Sequence, residues 1–127
     1  IEKEEPSAWS ESAIAAELLQ KDGIQLVFSK GGITSGWLCC RISDCEAELL
    51  KVTVSRKCRH RGVATLLLSC LEKELTEHGV SKLFLEVRSS NASAITFYFQ
   101  VGFTEVGRRI SYYRQPTDDA LLFKKKL

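Results

Sequence analysis

The stretch from Lys51 to Leu68, KVTVSRKCRHRGVATLLL, carries the residues whose types and spacing point most directly to chemistry. Val52 and Val54 alternate as in a strand, a short basic loop follows, and an apolar helical pattern begins at Arg61-Gly62-Val63-Ala64. A strand, a loop of small residues and a helix start together form a phosphate site, because the first helical N–H groups have no intrahelical partner and the macrodipole adds partial positive charge. Gly62 and Ala64 leave the backbone accessible, and Arg56, Lys57, Arg59, His60 and Arg61 surround it with cationic groups. The chemistry this implies is capture of the pyrophosphate of a nucleotide-like cofactor.

Other polar residues carry weaker signals when read singly. Glu86 lies between Leu85 and Val87 on a strand pattern, so its side chain faces away from theirs and reads as a solvated carboxylate on an open face. Tyr98 falls one turn after Ala94 and Ile95 and reads as a core aromatic with its hydroxyl exposed. Asn91 is placed to cap a helix, and Tyr112-Tyr113 read as surface aromatics of a hairpin. Cys58 sits among cations that lower a thiol pKa, yet no carboxylate or second histidine beside it completes a nucleophile-and-base arrangement. The basic loop lacks the interleaved aromatics that stack on bases, so direct nucleic-acid binding is not expected.

These residues need elements to position them. Ser7 or Ser10 is placed to cap a helix reaching Gln20, with Ile14, Leu18 and Leu19 on one face. Strands follow from Ile24, from Ile33 to Ile42 after the Gly31-Gly32 turn, and from Glu46 to Val54. The basic loop leads to a helix over Arg61–Glu77, with Val63, Leu67, Cys70, Leu71 and Leu75 at helical spacing and Gly79 as its stop. Next come a strand over Val80–Val87, a helix from Asn91 to Val101 closed by Gly102, and a hairpin of Phe103–Tyr113 with Ala120–Lys126 around Gln115-Pro116-Thr117. The strand–helix–strand passage implies a parallel pair. The fold class expected is α/β (α+β mixed): a mixed, mostly antiparallel sheet with a central parallel strand pair and helices on both faces.

The totals exclude several classes. At 127 residues, 44% apolar and 27% charged, the chain is expected to be one domain with a real core rather than a disordered segment. No apolar run approaches the roughly 20 residues of a membrane span, and the acidic start does not resemble a signal peptide. Five cysteines (Cys39, Cys40, Cys45, Cys58, Cys70) without C-x-x-C spacing, and only His60 and His78, support neither a disulfide framework nor a metal site. A reducing, cytoplasmic setting is expected. The net charge of +2 hides an asymmetry: Lys51–Arg61 holds five basic residues and no acid, and Lys124–Lys126 three more, leaving 10 basic residues against all 16 acidic ones elsewhere. Localised positive charge suits a polyphosphate ligand better than an extended nucleic-acid footprint.

Taken together, Arg59-His60-Arg61-Gly62-Val63-Ala64 resembles the Q/R-x-x-G-x-G/A signature of the GNAT N-acetyltransferases. Leu85-Glu86-Val87-Arg88-Ser89-Ser90-Asn91-Ala92-Ser93-Ala94-Ile95, followed by Tyr98, Gly102-Phe103 and Tyr112-Tyr113, is similar to the RimI-type ribosomal-protein alanine N-acetyltransferases in particular. The match runs from about Glu48 to the end, and Ala8-Trp9-Ser10 resembles that family's Pro-Trp-Ser segment. Against the family, the chain begins where the first helix is ending, so 1–127 is expected to be one GNAT domain without the family's first strand and most of its first helix. It is then either a piece of a longer protein or a trimmed fold. Arg114 also replaces a proline, and Asp118-Asp119 follows a shortened loop.

The resemblance implies a role for each residue. Val52, Thr53 and Val54 would meet the pantetheine arm and acetyl carbonyl of acetyl-CoA. Arg59, His60, Arg61, Gly62, Val63, Ala64 and Thr65 would surround its pyrophosphate, and Asn91 would bond it further along. Glu86 would be the general base, Tyr98 the acid that protonates the departing thiolate, and Tyr112 and Tyr113 would line the acceptor groove. The expected acceptor is a protein N-terminus, that of a small-subunit ribosomal protein beginning with alanine. The alternatives are a lysine side chain or small amine, and a non-catalytic acetyl-CoA-binding module. The chemistry is coherent. An α-amine at ~7.7–8.0 is partly neutral at pH 7, whereas lysine at ~10.4 costs about 3.4 kcal/mol more to deprotonate. A tyrosine at ~10 can protonate a thiolate whose conjugate acid lies near ~8.5.

Overall fold

The computed structural model describes residues 12–19, 23–56, 59 and 62–127. Seven strands and two helices follow one another in these residues: β1 Ser12–Leu19, β2 Gly23–Lys30, β3 Ile33–Ser43, β4 Glu46–Val54, α1 Val63–Glu77, β5 Lys82–Arg88, α2 Ala92–Gln100, β6 Thr104–Arg114 and β7 Thr117–Lys126. They form one sheet in the order β1-β2-β3-β4-β5-β7-β6. Every neighbouring pair is antiparallel except β4 and β5. This is the mixed sheet with a single parallel pair that the sequence implied.

The first element differs from expectation. Residues 12–19, read as part of a helix, are a strand whose eight residues pair with β2 from Ser12↔Lys30 to Leu19↔Gly23. The pairing closes an otherwise open β2 edge, and tertiary contact of this kind outweighs the modest helical signal of Ile14, Leu18 and Leu19. Ile14 still packs on the core, now from a strand opposite Phe28. The Ser7 and Ser10 caps and the Ala8-Trp9-Ser10 segment lie outside the described residues.

Alternation along the strands builds one buried face. Leu26 faces Leu38, Ile24 faces Cys40, Ala47 faces Leu83, Leu85 faces Phe123 and Val87 faces Leu121 across their ladders, and all are buried. α1 lies on this face through Val63, Leu67, Leu71 and Leu75, spaced four residues apart, with Leu68 beside them. It stops at Gly79, where φ is 81°, and the Val80 N–H returns to the Leu75 carbonyl at 2.9 Å. α2 joins the same face through Tyr98 and Phe99, whose rings lie 6.3 and 5.2 Å from that of Phe123. Of the helices expected on both faces, the two described ones therefore share one. Lys125 of β7 ties them together, its Nζ donating to Glu72 Oε2 at 2.8 Å and to the Val101 carbonyl at 2.6 Å. Neither helix is long and apolar enough to cross a membrane.

Candidate active site

β4 and β5 pair only at Glu46↔Lys82, Ala47↔Leu83 and Glu48↔Phe84. Beyond those three rungs the two strands separate, although β4 runs on to Val54 and β5 to Arg88. A wedge opens between them, and it divides the site into two parts.

On the helix side lies a cleft of about 1010 Å³. Val52, Thr53 and Val54 form one wall, Arg59 and Gly62 through Thr65 the rim, and Asn91 and Tyr98 the opposite wall. The proposed cofactor residues thus converge, apart from His60 and Arg61, which lie outside the described residues. Gly62 caps α1 at φ 77°, no side chain among the described residues bonds the helix end, and Val63, Ala64 and Thr65 at the first turn border the cleft. A Cβ at Gly62 would meet nothing within 4 Å; what needs glycine there is the left-handed backbone rather than space. The side chain of Val63 is buried in the core, which leaves only its backbone for a ligand. The Nε of Arg59 donates to the Val54 carbonyl at 3.1 Å and pins the loop to the end of β4.

α2 enters from the far wall. The Oδ1 of Asn91 accepts from the Ala94 N–H and the Ser93 hydroxyl, each at 3.2 Å, so this residue caps α2 while its side chain also borders the cleft. Tyr98 packs edge-on against Phe103 at 5.5 Å. Burial of its phenol pushes the pKa above the ordinary value of 10, which keeps the proton on the oxygen at neutral pH.

Glu86 lies on the opposite face. In β5 the residues Leu83, Leu85 and Val87 point into the core, and Glu86 points out of it. Its Oε2 accepts from Arg109 Nε of β6 at 2.7 Å. A second groove, about 390 Å³, runs past this pair over Phe84, Val106 and Leu122. Tyr112 and Tyr113 stand nearby, their rings edge-to-face at 5.1 Å. The Arg88 guanidinium lies 4.2 Å above the Tyr113 ring, and that of Arg109 lies 5.6 Å from the Tyr112 ring. Burial, and then the negative charge of Glu86, raise the Tyr113 pKa above 10. Glu86 and the tyrosine pair are therefore grouped with each other, across the sheet from Tyr98, with the wedge between the two groups.

The hairpin bearing the tyrosines is anchored by residues whose roles no local spacing disclosed. Asp118 accepts from the hydroxyls of Ser89 and Ser90 at 2.6 and 2.5 Å and from the Asp119 N–H at 2.8 Å. The Ser89 and Ser90 hydrogen bonds pull its pKa down to about 2. Asp119 accepts from the Ser111 N–H at 2.7 Å and from Arg108 at 2.8 Å. Ser111 has φ 51°, and the β6–β7 register shifts between Arg109 and Tyr113. Tyr113, where the register resumes after this bulge, lies against Arg88 of β5. Arg109 and Gly36 are the other residues that the sequence reading passed over.

In sequence and in fold the chain is similar to known acetyltransferases. The profile of the acetyltransferase (GNAT) family matches residues 1–103. The [ribosomal protein bS18]-alanine N-acetyltransferase of Escherichia coli K12 is 33% identical over 111 residues, covering 87% of this chain and 73% of that one. Its Salmonella typhimurium counterpart is 42% identical over 79 residues, covering 61% and 53%. A crystal structure of the ribosomal-protein-alanine N-acetyltransferase from Escherichia coli superposes with a TM-score of 0.79 at 29% identity, covering 85% of this chain and 71% of that one. With the signature at the α1 start, the splayed parallel pair and a profile match over most of its length, the chain belongs to the GNAT family of acetyltransferases.

Proposed function

We propose that this protein transfers the acetyl group of acetyl-CoA to the N-terminal α-amine of a protein, and that its acceptor is a ribosomal protein beginning with alanine. The observation that carries the reading is the separation of β4 and β5 beyond their three paired rungs, with a cleft containing Tyr98 on one side of the sheet and a groove containing Glu86 on the other. The names of the relatives support the acceptor class. In this reading acetyl-CoA lies in the helix-side cleft, its pyrophosphate on the α1 N-terminus and its thioester directed along Val52–Val54 into the wedge. The acceptor amine arrives from the Glu86 face between Tyr112 and Tyr113. Glu86 takes the proton of the amine, a C–N bond forms as the C–S bond breaks, and Tyr98 gives its proton to the departing thiolate. No covalent enzyme species is needed once amine and thioester are held together.

Turnover and acetyl-CoA binding, measured separately on Glu86→Gln and Tyr98→Phe, test the roles. Each variant should bind acetyl-CoA normally in calorimetry and lose roughly 10²- to 10⁴-fold in turnover, the range for a positioned acid or base. Full turnover in both variants would remove the proposed mechanism.

A further inference from the structure

The Glu86 carboxylate does not stand alone on its face, and the geometry points to Arg109 as the positioning residue that aims it at the acceptor. The inference rests on the reading of Glu86 as the base. The Arg109 Nε takes Oε2 at 2.7 Å, and no hydrogen bond among the described residues goes to Oε1. One carboxylate oxygen is thereby fixed and the other left for an incoming ammonium. A carboxylate held by one charge-assisted hydrogen bond has a set plane, and free rotation about its last torsion would otherwise spread Oε1 over many directions.

The backbone beneath Arg109 is itself held. Arg109 pairs with Ala120 at the last regular rung before the bulge. On either side of it, Arg108 and the Ser111 N–H are bound by the two oxygens of Asp119. The guanidinium also lies 5.6 Å from the Tyr112 ring, so one side chain joins the base to the wall of the acceptor face. With 55% of the Arg109 side chain exposed, the ion pair adds little to folding stability, and its consequence lies in the orientation of Glu86.

A double-mutant cycle on the whole chain tests this, using wild type, Arg109→Gln, Glu86→Gln and the double variant, with acetyl-CoA and an acceptor peptide. Arg109→Gln should lower kcat roughly 10- to 100-fold, as misplacement of a reacting group does, and leave the KM for acetyl-CoA and the unfolding temperature unchanged. Arg109→Lys should restore part of the loss, and in the Glu86→Gln background Arg109→Gln should cost nothing further. Wild-type turnover in Arg109→Gln, or an equal loss in both backgrounds, would overturn the inference and leave Glu86 as the base. Wild-type turnover in Glu86→Gln would instead remove the base assignment, and this inference with it.

Discussion

Gly36 offers the sharpest test of how the fold serves the cleft. It is a buried residue of β3, paired with Val54 at the end of β4 and lying directly beneath the first turns of α1. A Cβ built there would stand 3.0 Å from Val63 Cγ1, 3.1 Å from Leu67 Cδ1 and 3.5 Å from Phe28 Cβ. The first two are closer than the optimal ~3.5–4.0 Å separation of carbon atoms, so in Gly36→Ala the buried Val63 and Leu67 side chains must give by a few tenths of an ångström, and the expected outcome is an outward shift of the start of α1. Overpacking of this kind costs about 1–3 kcal/mol, equivalent for a domain of this size to a fall in Tm of about 4–11 °C. The same displacement moves the N–H groups that border the cleft. A loss of about 1 kcal/mol there raises the KM for acetyl-CoA roughly fivefold.

Gly62 provides the contrast. A Cβ there meets nothing, but φ is 77°, so Gly62→Ala costs about 1–2 kcal/mol of backbone strain. Asparagine tolerates that conformation. Gly62→Asn should therefore recover most of the stability lost in Gly62→Ala, while Gly36→Asn should be worse than Gly36→Ala. Differential scanning fluorimetry with a KM measurement reads both series. A Gly36→Ala protein with wild-type Tm and wild-type acetyl-CoA KM would refute the claim that α1 is seated on Gly36.

Two further outcomes follow from the titrating groups. Asp118 has its folded pKa drawn down to about 2 by Ser89 and Ser90, below an unfolded value of ~3.9, so it contributes stability that is complete above about pH 4 and is lost as pH falls through 2. Asp118→Asn should lower Tm at pH 7, and its difference from wild type should close between pH 4 and 2; a constant difference would contradict the hydrogen-bonded carboxylate. Burial pushes the Cys40 thiol up to about 11, whereas Cys45 is exposed. At pH 8 only about one Cys40 in a thousand is thiolate, so mass spectrometry after brief maleimide treatment should find Cys45 labelled and Cys40 intact. Equal labelling would contradict the packing of β3.

Much of this architecture could be read from local pattern because the relevant signals were local. The helix over Val63–Glu77 rests on four-residue spacing, and β5 on strict alternation, which also put Glu86 on the face opposite Leu85. The proposed cofactor residues Val52–Val54 and Gly62–Thr65 lie close together in sequence, so their meeting in one cleft needed only the strand–loop–helix passage. What escaped was long-range. Residues 12–19 carry a helical spacing that local reasoning cannot weigh against a vacant β2 edge. Arg109 lies 23 residues from Glu86 and meets it only because β7 enters the sheet between β5 and β6. Asp118 similarly bridges 28 residues to Ser90. Gly36 offers no sign in sequence that a helix rests on it.

The central claim, acetyl transfer to a protein α-amine, is met most directly by measuring thiol release from acetyl-CoA across three acceptors. These are peptides with a free N-terminal alanine, the same peptides blocked at the N-terminus but containing lysine, and free polyamines. Free α-amines should give release, and blocking the N-terminus should abolish it. Release with the blocked lysine peptides or the polyamines alone would contradict the central claim.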